Sequence, residues 1–460
     1  MDRKIVLFDD KINCCGCWAC YNICPKNSIS MLADSHGFLF PQIDDSKCIK
    51  CGMCLKVCPI KKKRTEEKTE TQKPHIKIVN FGTFDNFGAV IAAACLENTV
   101  RTLVPENYIV QTVNYNSTAE RWNKLTKFRA KMSARFEFLD LSLRKLNLKK
   151  SAPKNRIESE RPASSGIRMH RYKKFRNNYL NLTVKSDNYD LDRMNDNDVA
   201  LICGSDVIWF APRIMMRSYK GFYLSFGKKD AKRIAYAASI DSAANFKLWK
   251  KWLIYKYRLK NFDAISIREN ENLKFVQSLT ANKVQKCVDP VFLLEPVYFE
   301  NIIADSEEKT PEEDYIYAYI LMNNDKAYEY TLKLAKEKNL KIYYFADFYN
   351  DFGDNSVNCY TDGPAEFLQR IKNAKYVITT SFHCIVFSLI YKKQFIAFDR
   401  GNNSIKIPDI LETFGIPERL AKGDDVKNID EQIDFDDIEN KINAFREQSM
   451  DYLRNALKNI

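Results

Sequence analysis

The chain has 460 residues, enough for about three domains, and its 45% hydrophobic and 13% aromatic content lets it bury substantial cores. No stretch reaches the length of a transmembrane helix, and Met1 to Asp10 holds only the short apolar run Ile5–Phe8, which argues against a secretory signal and for a cytoplasmic protein. The formal net charge is +13, and it is unevenly placed: twelve Lys or Arg and two Glu fall between Leu141 and Arg176.

The first 60 residues carry two copies of Cys-x2-Cys-x2-Cys-x3-Cys-Pro. These are Cys14, Cys17, Cys20, Cys24 with Pro25, and Cys48, Cys51, Cys54, Cys58 with Pro59. The spacing is that of a two-cluster bacterial ferredoxin, in which the fourth cysteine of each run ligates the other cluster. It predicts two 4Fe–4S clusters, one on Cys14, Cys17, Cys20 and Cys58, the other on Cys48, Cys51, Cys54 and Cys24. Each proline ends local helix, and Gly16 and Gly52 let the backbone approach the sulfides. Structural zinc sites favour paired Cys-x2-Cys units about 15 residues apart, and disulfides need an oxidising compartment. Cys15 falls outside the ligand pattern. Cys95, Cys203, Cys287, Cys359 and Cys384 lie in apolar surroundings and read as buried free thiols.

Residues 61–73 contain no apolar side chain and read as a charged linker, extending to 75. From Ile76 short apolar runs alternate with amphipathic helices, the signature of strand-helix units on parallel sheets. A first series is expected over 76–300, with strands Ile76–Gly82, Val199–Cys203, Arg233–Ser239, Ala264–Ile267 and Val284–Val288. Helices are expected at Ala89–Leu96 and Asn270–Leu279. A second series is expected over 301–430, with strands Tyr315–Leu321, Lys341–Phe345, Tyr376–Thr380 and Phe395–Asp399. Its helices are Lys326–Lys336, Pro364–Asn373 and Phe382–Tyr391. A helical stripe of Ile438, Ile442, Phe445, Leu453 and Leu457 closes the chain over 431–460, capped by Asp436 or Asp437. The fold class is therefore α/β: two Rossmann-like halves facing one cleft, preceded by a small α+β dicluster module.

The basic run 141–176 contains Ser151, Pro153, Pro162, Ser164, Ser165 and Gly166, which read as loop formers. A solvated loop is the expectation there, able to touch phosphates or the inner face of a membrane. Nucleic acid is not an expected partner, because no stacking platform or nucleic-acid motif accompanies the charge.

In open parallel sheets, ligands bind beyond the carboxyl ends of the strands. Four loops fall there. The first holds Asn86 and Gly88 and opens a helix whose free N–H groups suit an anion. The second is Gly204-Ser205-Asp206, and the third centres on Arg268. The fourth, Thr379-Thr380-Ser381-Phe382-His383, places Ser381 at an N-cap and His383 in the first helical turn, where a histidine can meet a phosphate or transfer a proton. Alone, His383 reads as a packed residue, Arg268 as a surface ion-pair partner, and Asp206 and Asn86 as turn or cap residues. Their joint placement at strand ends favours function.

These pieces together resemble the polysaccharide pyruvyl transferase family. They are Asp-Asn-Phe-Gly-Ala at 85–89, Gly-Ser-Asp-Val-Ile-Trp at 204–209, Ala-Tyr-Ala-Ala-Ser at 235–239 and Ser-Ile-Arg-Glu-Asn at 266–270. Val-Asp-Pro-Val-Phe-Leu-Leu at 288–294 and Ser-Phe-His-Cys-Ile-Val-Phe-Ser at 381–388 complete the set. The resemblance implies a GT-B-like architecture and transfer of pyruvate from phosphoenolpyruvate onto sugar hydroxyls as a ketal, for cell-surface polysaccharide. The acceptor would be a sugar or lipid-linked saccharide. By the same carry-over, Arg268 would grip phosphate or carboxylate, and His383 would hold phosphate or act as acid. Asn86, Gly88, Gly204, Ser205, Asp206 and Ser381 would line the cleft. The chain departs from the family pattern at Ser381, Cys384 and Val207, where Arg, Gly and Gln are common. Ketal formation is redox-neutral, so a second reading stands beside it: an iron–sulfur protein passing electrons to a partner oxidoreductase, with the large region as scaffold. No Gly-x-Gly-x-x-Gly fingerprint for a dinucleotide follows a strand.

Overall fold

The computed structural model describes residues 5–8, 14–35, 37–59, 73–115, 161–194, 197–209, 220–240, 256–321, 324–346, 352–399, 405–423 and 425–460. The chain divides into two compact units, Met1–Pro74 and His75–Ile460.

The first unit contains helix α1 (Ala19–Asn22), an antiparallel pair β1 (Ile29–Ala33) and β2 (Leu39–Ile43), and helix α2 (Met53–Val57). Each short helix carries the third cysteine of one motif, Cys20 and Cys54, into a small core with Leu7 and Ile29.

The second unit is built on two parallel sheets. In the first sheet lie β3 (His75–Val79), β4 (Ile109–Thr112), β5 (Asp198–Cys203), β6 (Asp206–Trp209), β7 (Lys232–Ile240), β8 (Ala264–Ile267) and β9 (Val284–Lys286). Helices α3 (Phe87–Leu103), α4 (Arg161–Tyr179), α5 (Asn188–Arg193), α6 (Asn270–Gln277) and α7 (Pro296–Ile303) accompany it. The second sheet holds β10 (Tyr315–Ile320), β11 (Lys341–Ala346), β12 (Ser356–Asn358), β13 (Tyr376–Thr379), β14 (Gln394–Phe398) and β15 (Leu420–Ala421). Its helices are α8 (Asp325–Lys338), α9 (Pro364–Asn373), α10 (Phe382–Ile390) and α11 (Lys406–Phe414), and α12 (Phe435–Ala456) ends the chain.

Strands such as His-Ile-Lys-Ile-Val and Tyr-Ile-Tyr-Ala-Tyr-Ile are buried at every position, as strands covered on both faces must be. Helix α3 is apolar nearly all round and correspondingly buried. The strand orders matter for function. The first sheet runs β4-β3-β5-β7-β8-β9, with β6 paired to β7, so its order reverses between β3 and β5. The second runs β12-β11-β10-β13-β14-β15 and reverses between β10 and β13. The crevices at such reversals are where open α/β sheets bind ligands. The loops after β3, β5 and β13 are those holding Asn86 and Gly88, Gly204 to Asp206, and Ser381 to His383.

Helix α12 returns to the first sheet. Tyr452 Oη donates to Ala235 O at 2.8 Å, and Val288 N donates to Ser449 Oγ at 3.0 Å. Ile438, Ile442, Leu453 and Leu457 are buried, with Phe445 packed beside them. Its cap is Asp434, whose carboxylate accepts from Asp437 N, rather than Asp436 or Asp437. The five outlying thiols, Cys95, Cys203, Cys287, Cys359 and Cys384, are all buried.

The basic segment needs correction. Residues 141–160, including Arg144 to Arg156, lie outside the described residues, but 161–176 is helix, not loop. Pro162 falls in the first turn, where its missing N–H costs nothing. The helix is held by Tyr172 and Phe175, both buried. Three of its charges are internal ties. Arg171 meets Glu307, Glu308, Asp362 and Glu366, while Lys174 meets Glu307 and Arg176 meets Asp85. Local turn propensity lost to tertiary packing. Among the described residues, no helix is long and apolar enough to cross a membrane.

Candidate functional site

Two constellations carry chemistry. In the first unit, the eight motif cysteines sort into two cavities. One is lined by Cys14, Cys17, Cys20 and Cys58, together with Cys15. The other is lined by Cys24, Cys48, Cys51 and Cys54. Each cavity thus takes three cysteines from one motif and the fourth from the other. Among the described residues no three donor side chains converge closely enough to hold a single metal ion. Four sulfurs around one space suit an iron–sulfur cluster.

In the second unit, strand ends from both sheets converge on Asp289, just past β9. Arg268, at the end of β8, donates from Nη1 to Asp289 Oδ2 at 2.8 Å and from Nε to Glu269 Oε1 at 2.8 Å. Ser205 Oγ donates to the same Asp289 oxygen at 3.0 Å. From the other sheet, His383 brings Nε2 within 3.6 Å of it. Lys406, opening α11, donates to Asp206 Oδ1 at 3.0 Å, closing a second tie across the cleft. Two further contacts hold α11 against the first half. Asn270 N donates to Asp409 Oδ1 at 2.7 Å, and Lys286 Nζ donates to Thr413 Oγ1 at 2.8 Å.

This cluster is buried: Arg268 is 4% exposed, Asp289 1% and His383 7%. Burial works against the Asp289 carboxylate, but His383 and Arg268 outweigh it and hold the group down at about 2. Asp206 is likewise penalised by burial and held well below the usual range by Lys406, Arg268 and His383. The guanidinium of Arg268 is opposed by burial and stabilised above its ordinary value by Glu269, Asp289 and Asp206. It also lies over the Phe382 ring at 4.1 Å. Three buried atoms in this group have no hydrogen-bond partner: Arg268 Nη2, Glu269 Oε2 and His383 Nε2. Buried polar atoms left without a hydrogen bond are uncommon, and at a shared site they can meet an ordered water or an incoming group.

Of the expected site residues, Arg268, Ser205, Asp206 and His383 come together. Gly88 is packed so closely on the His383 ring that a Cβ there would fall under 3.0 Å from Cγ, Nδ1 and Cβ. Gly204, at φ 133°, lies against the carbonyl of Tyr236 and shapes the turn. Asn86 is exposed, and its Oδ1 is occupied in capping α3 through Ala89 N at 3.1 Å. Ser381 sits at the N-cap of α10 but its side chain makes no cap bond; its N–H donates to Thr379 Oγ1 at 3.0 Å. Sequence reasoning left Asp289, Glu269 and Lys406 off the site. Asp289 and Glu269 stood inside the quoted runs at 288–294 and 266–270, whereas nothing local marks Lys406.

Comparison with known proteins gives two family matches. The polysaccharide pyruvyl transferase family model matches residues 86–402, and a 4Fe-4S dicluster domain matches residues 13–62. No curated protein matches. Among solved structures, the UDP-N-acetylglucosamine 2-epimerase of Rickettsia bellii is 12% identical at TM-score 0.42, over 84% of this chain and 99% of that one. The Neisseria meningitidis UDP-GlcNAc 2-epimerase is 8% identical at TM-score 0.38, over 83% and 94%. The heptosyltransferase II of E. coli is 10% identical at TM-score 0.30, over 81% and 99%. With a match over residues 86–402, more than half of its length, the chain belongs to the polysaccharide pyruvyl transferase family.

Proposed function

We propose that the protein moves pyruvate from phosphoenolpyruvate onto two hydroxyls of a sugar, as a ketal, in cytoplasmic assembly of cell-surface polysaccharide. The observation that carries this reading is the meeting of Arg268 and His383 on Asp289, with Arg268 Nη2 and His383 Nε2 both buried and without a hydrogen bond.

The reaction sets clear demands. The enol methylene gains a proton and becomes methyl, two acceptor oxygens bond to the adjacent carbon, and phosphate departs. Of the two hydroxyl protons lost, one balances the methyl and the other leaves on phosphate. An oxocarbenium must be stabilised between these events, which calls for a fixed electrostatic surround. Arg268 Nη2 suits the donor's phosphate or carboxylate, and Asp289 and Glu269 hold the planar guanidinium in place through Nη1 and Nε. His383 Nε2 suits proton delivery or phosphate contact. Gly88 backs the ring and fixes its position.

The first unit would hold two 4Fe–4S clusters, on the two cysteine sets lining its cavities. Such clusters supply one-electron transfer or redox sensing. The ketal chemistry uses neither, so the clusters regulate the transferase or serve a redox partner.

The test is anaerobically purified protein with phosphoenolpyruvate and a panel of nucleotide-linked and lipid-linked sugars, read by mass spectrometry. A pyruvyl adduct that disappears in His383→Ala supports the transferase. No adduct with any acceptor moves the electron-transfer reading to first place.

A further inference from the structure

The central cluster does not have the charge to hold phosphoenolpyruvate alone. Asp206, Glu269 and Asp289 already face Arg268, Lys406 and His383. A phosphate-bearing ligand entering there needs a cation that no carboxylate has taken.

Helix α4 supplies one. Arg168 and Arg171 lie one turn apart on it. Arg171 is met by Glu307, Glu308, Asp362 and Glu366. Arg168, among the described residues, makes no ion pair. Its guanidinium sits instead among four aromatic rings, with Cζ 5.1 Å from the Phe87 centroid, 5.5 Å from Tyr172, 4.7 Å from Phe345 and 5.4 Å from Tyr360. Its hydrogen bond to Asp85 O, at 3.4 Å, is long. Aromatic faces hold a guanidinium in place without neutralising it.

The position is telling. Phe87 and Tyr172 come from the first half; Phe345, at the end of β11, and Tyr360 come from the second. Phe87, which touches Arg168, is followed by Gly88, which touches His383. Arg168 and His383 therefore flank the first turn of α3, a 17-residue helix whose N-terminus favours anions.

We propose that Arg168 is a phosphate-binding residue of this cleft, preset by its aromatic cage, for the phosphate of the donor or of the acceptor's carrier. This rests on the transferase reading, but it is testable without turnover. The full-length protein would be titrated with phosphoenolpyruvate and with inorganic phosphate by calorimetry, as wild type, Arg168→Gln, Arg168→Lys and the same-helix control Lys174→Gln. We expect about tenfold weaker binding of both probes in Arg168→Gln, the loss of one charge-assisted contact, a smaller loss in Arg168→Lys, and none in Lys174→Gln. If Arg168→Gln loses its near-UV circular dichroism, Arg168→Lys carries the test, since it keeps the charge but not the planar fork. Wild-type affinity for both probes in a folded Arg168 variant would overturn the proposal and leave Arg168 as packing. With an acceptor in hand, a raised KM for phosphoenolpyruvate assigns the donor's phosphate, and a raised KM for the sugar alone assigns the carrier's. Absence of any pyruvyl adduct would sink the transferase reading while leaving the calorimetric result to stand.

Discussion

Gly88→Ala is a one-carbon change with a computable target. The added Cβ would lie under 3.0 Å from three atoms of His383, whereas carbon atoms rest at about 3.5–4.0 Å. The ring must retreat by something on the order of 1 Å. It cannot do so freely, because His383 is 7% exposed and Asp289 Oδ2 stands 3.6 Å from its Nε2. The stability cost should be that of modest overpacking, about 1–3 kcal/mol. The cost to turnover should be larger in proportion, roughly a hundredfold for a 1 Å displacement of a reacting group. Phosphate release from phosphoenolpyruvate plus acceptor would be followed beside thermal unfolding of the second unit. A variant that melts a few degrees lower but turns over at the wild-type rate would refute the reasoning, since the histidine would then be displaced without consequence.

Other substitutions test other links. Gly166→Ala, on α4 with no atom within 4 Å of the new methyl, should stabilise the protein by about 0.5–1 kcal/mol in chemical denaturation. Burial pushes the Asp362 carboxyl up to about 6 against the pull of Arg370. A raised carboxyl favours the fold below its unfolded value of 3.8 and loses that contribution as pH rises through 6. Lowering the pH from 7 to about 4 should therefore add about 2 kcal/mol from this group, a gain that Asp362→Asn removes. In the first unit, Cys58→Ser should cost the cluster framed by Cys14, Cys17 and Cys20, and Cys24→Ser the other. Iron and sulfide analysis should find about half the wild-type content in each single variant and almost none in the double; unchanged content in either would break the crossed assignment.

How much of this was legible in the sequence depended on the range of the interactions involved. Strands such as Tyr315–Ile320 announce themselves by continuous apolar residues, because both faces of a parallel sheet are covered. The loops beyond them follow from that pattern, and so did Arg268 and His383. The cysteine partition was legible for a related reason: a fixed short spacing sets which sulfurs can share one cavity. Strand β4, only Ile109–Thr112, and β12, only Ser356–Asn358, offer too few residues for a pattern. The partner of Asp206 is 200 residues away at Lys406, and no local signal joins them.

The sharpest case is helix α4. Read locally, Pro162, Ser164, Ser165 and Gly166 spell a loop, and the surrounding charges spell solvent. The fold overrules both. Tyr172 and Phe175 are buried, and acidic residues more than 130 positions downstream wait for Arg171. Charge in a sequence has no address until the fold supplies counter-ions. Arg171 and Arg168 are alike in type and a single turn apart, yet one is met by four carboxylates and the other, partly exposed, by aromatic faces and the Asp85 carbonyl. That asymmetry, invisible to composition, is what directs attention from the saturated cation to the unsaturated one.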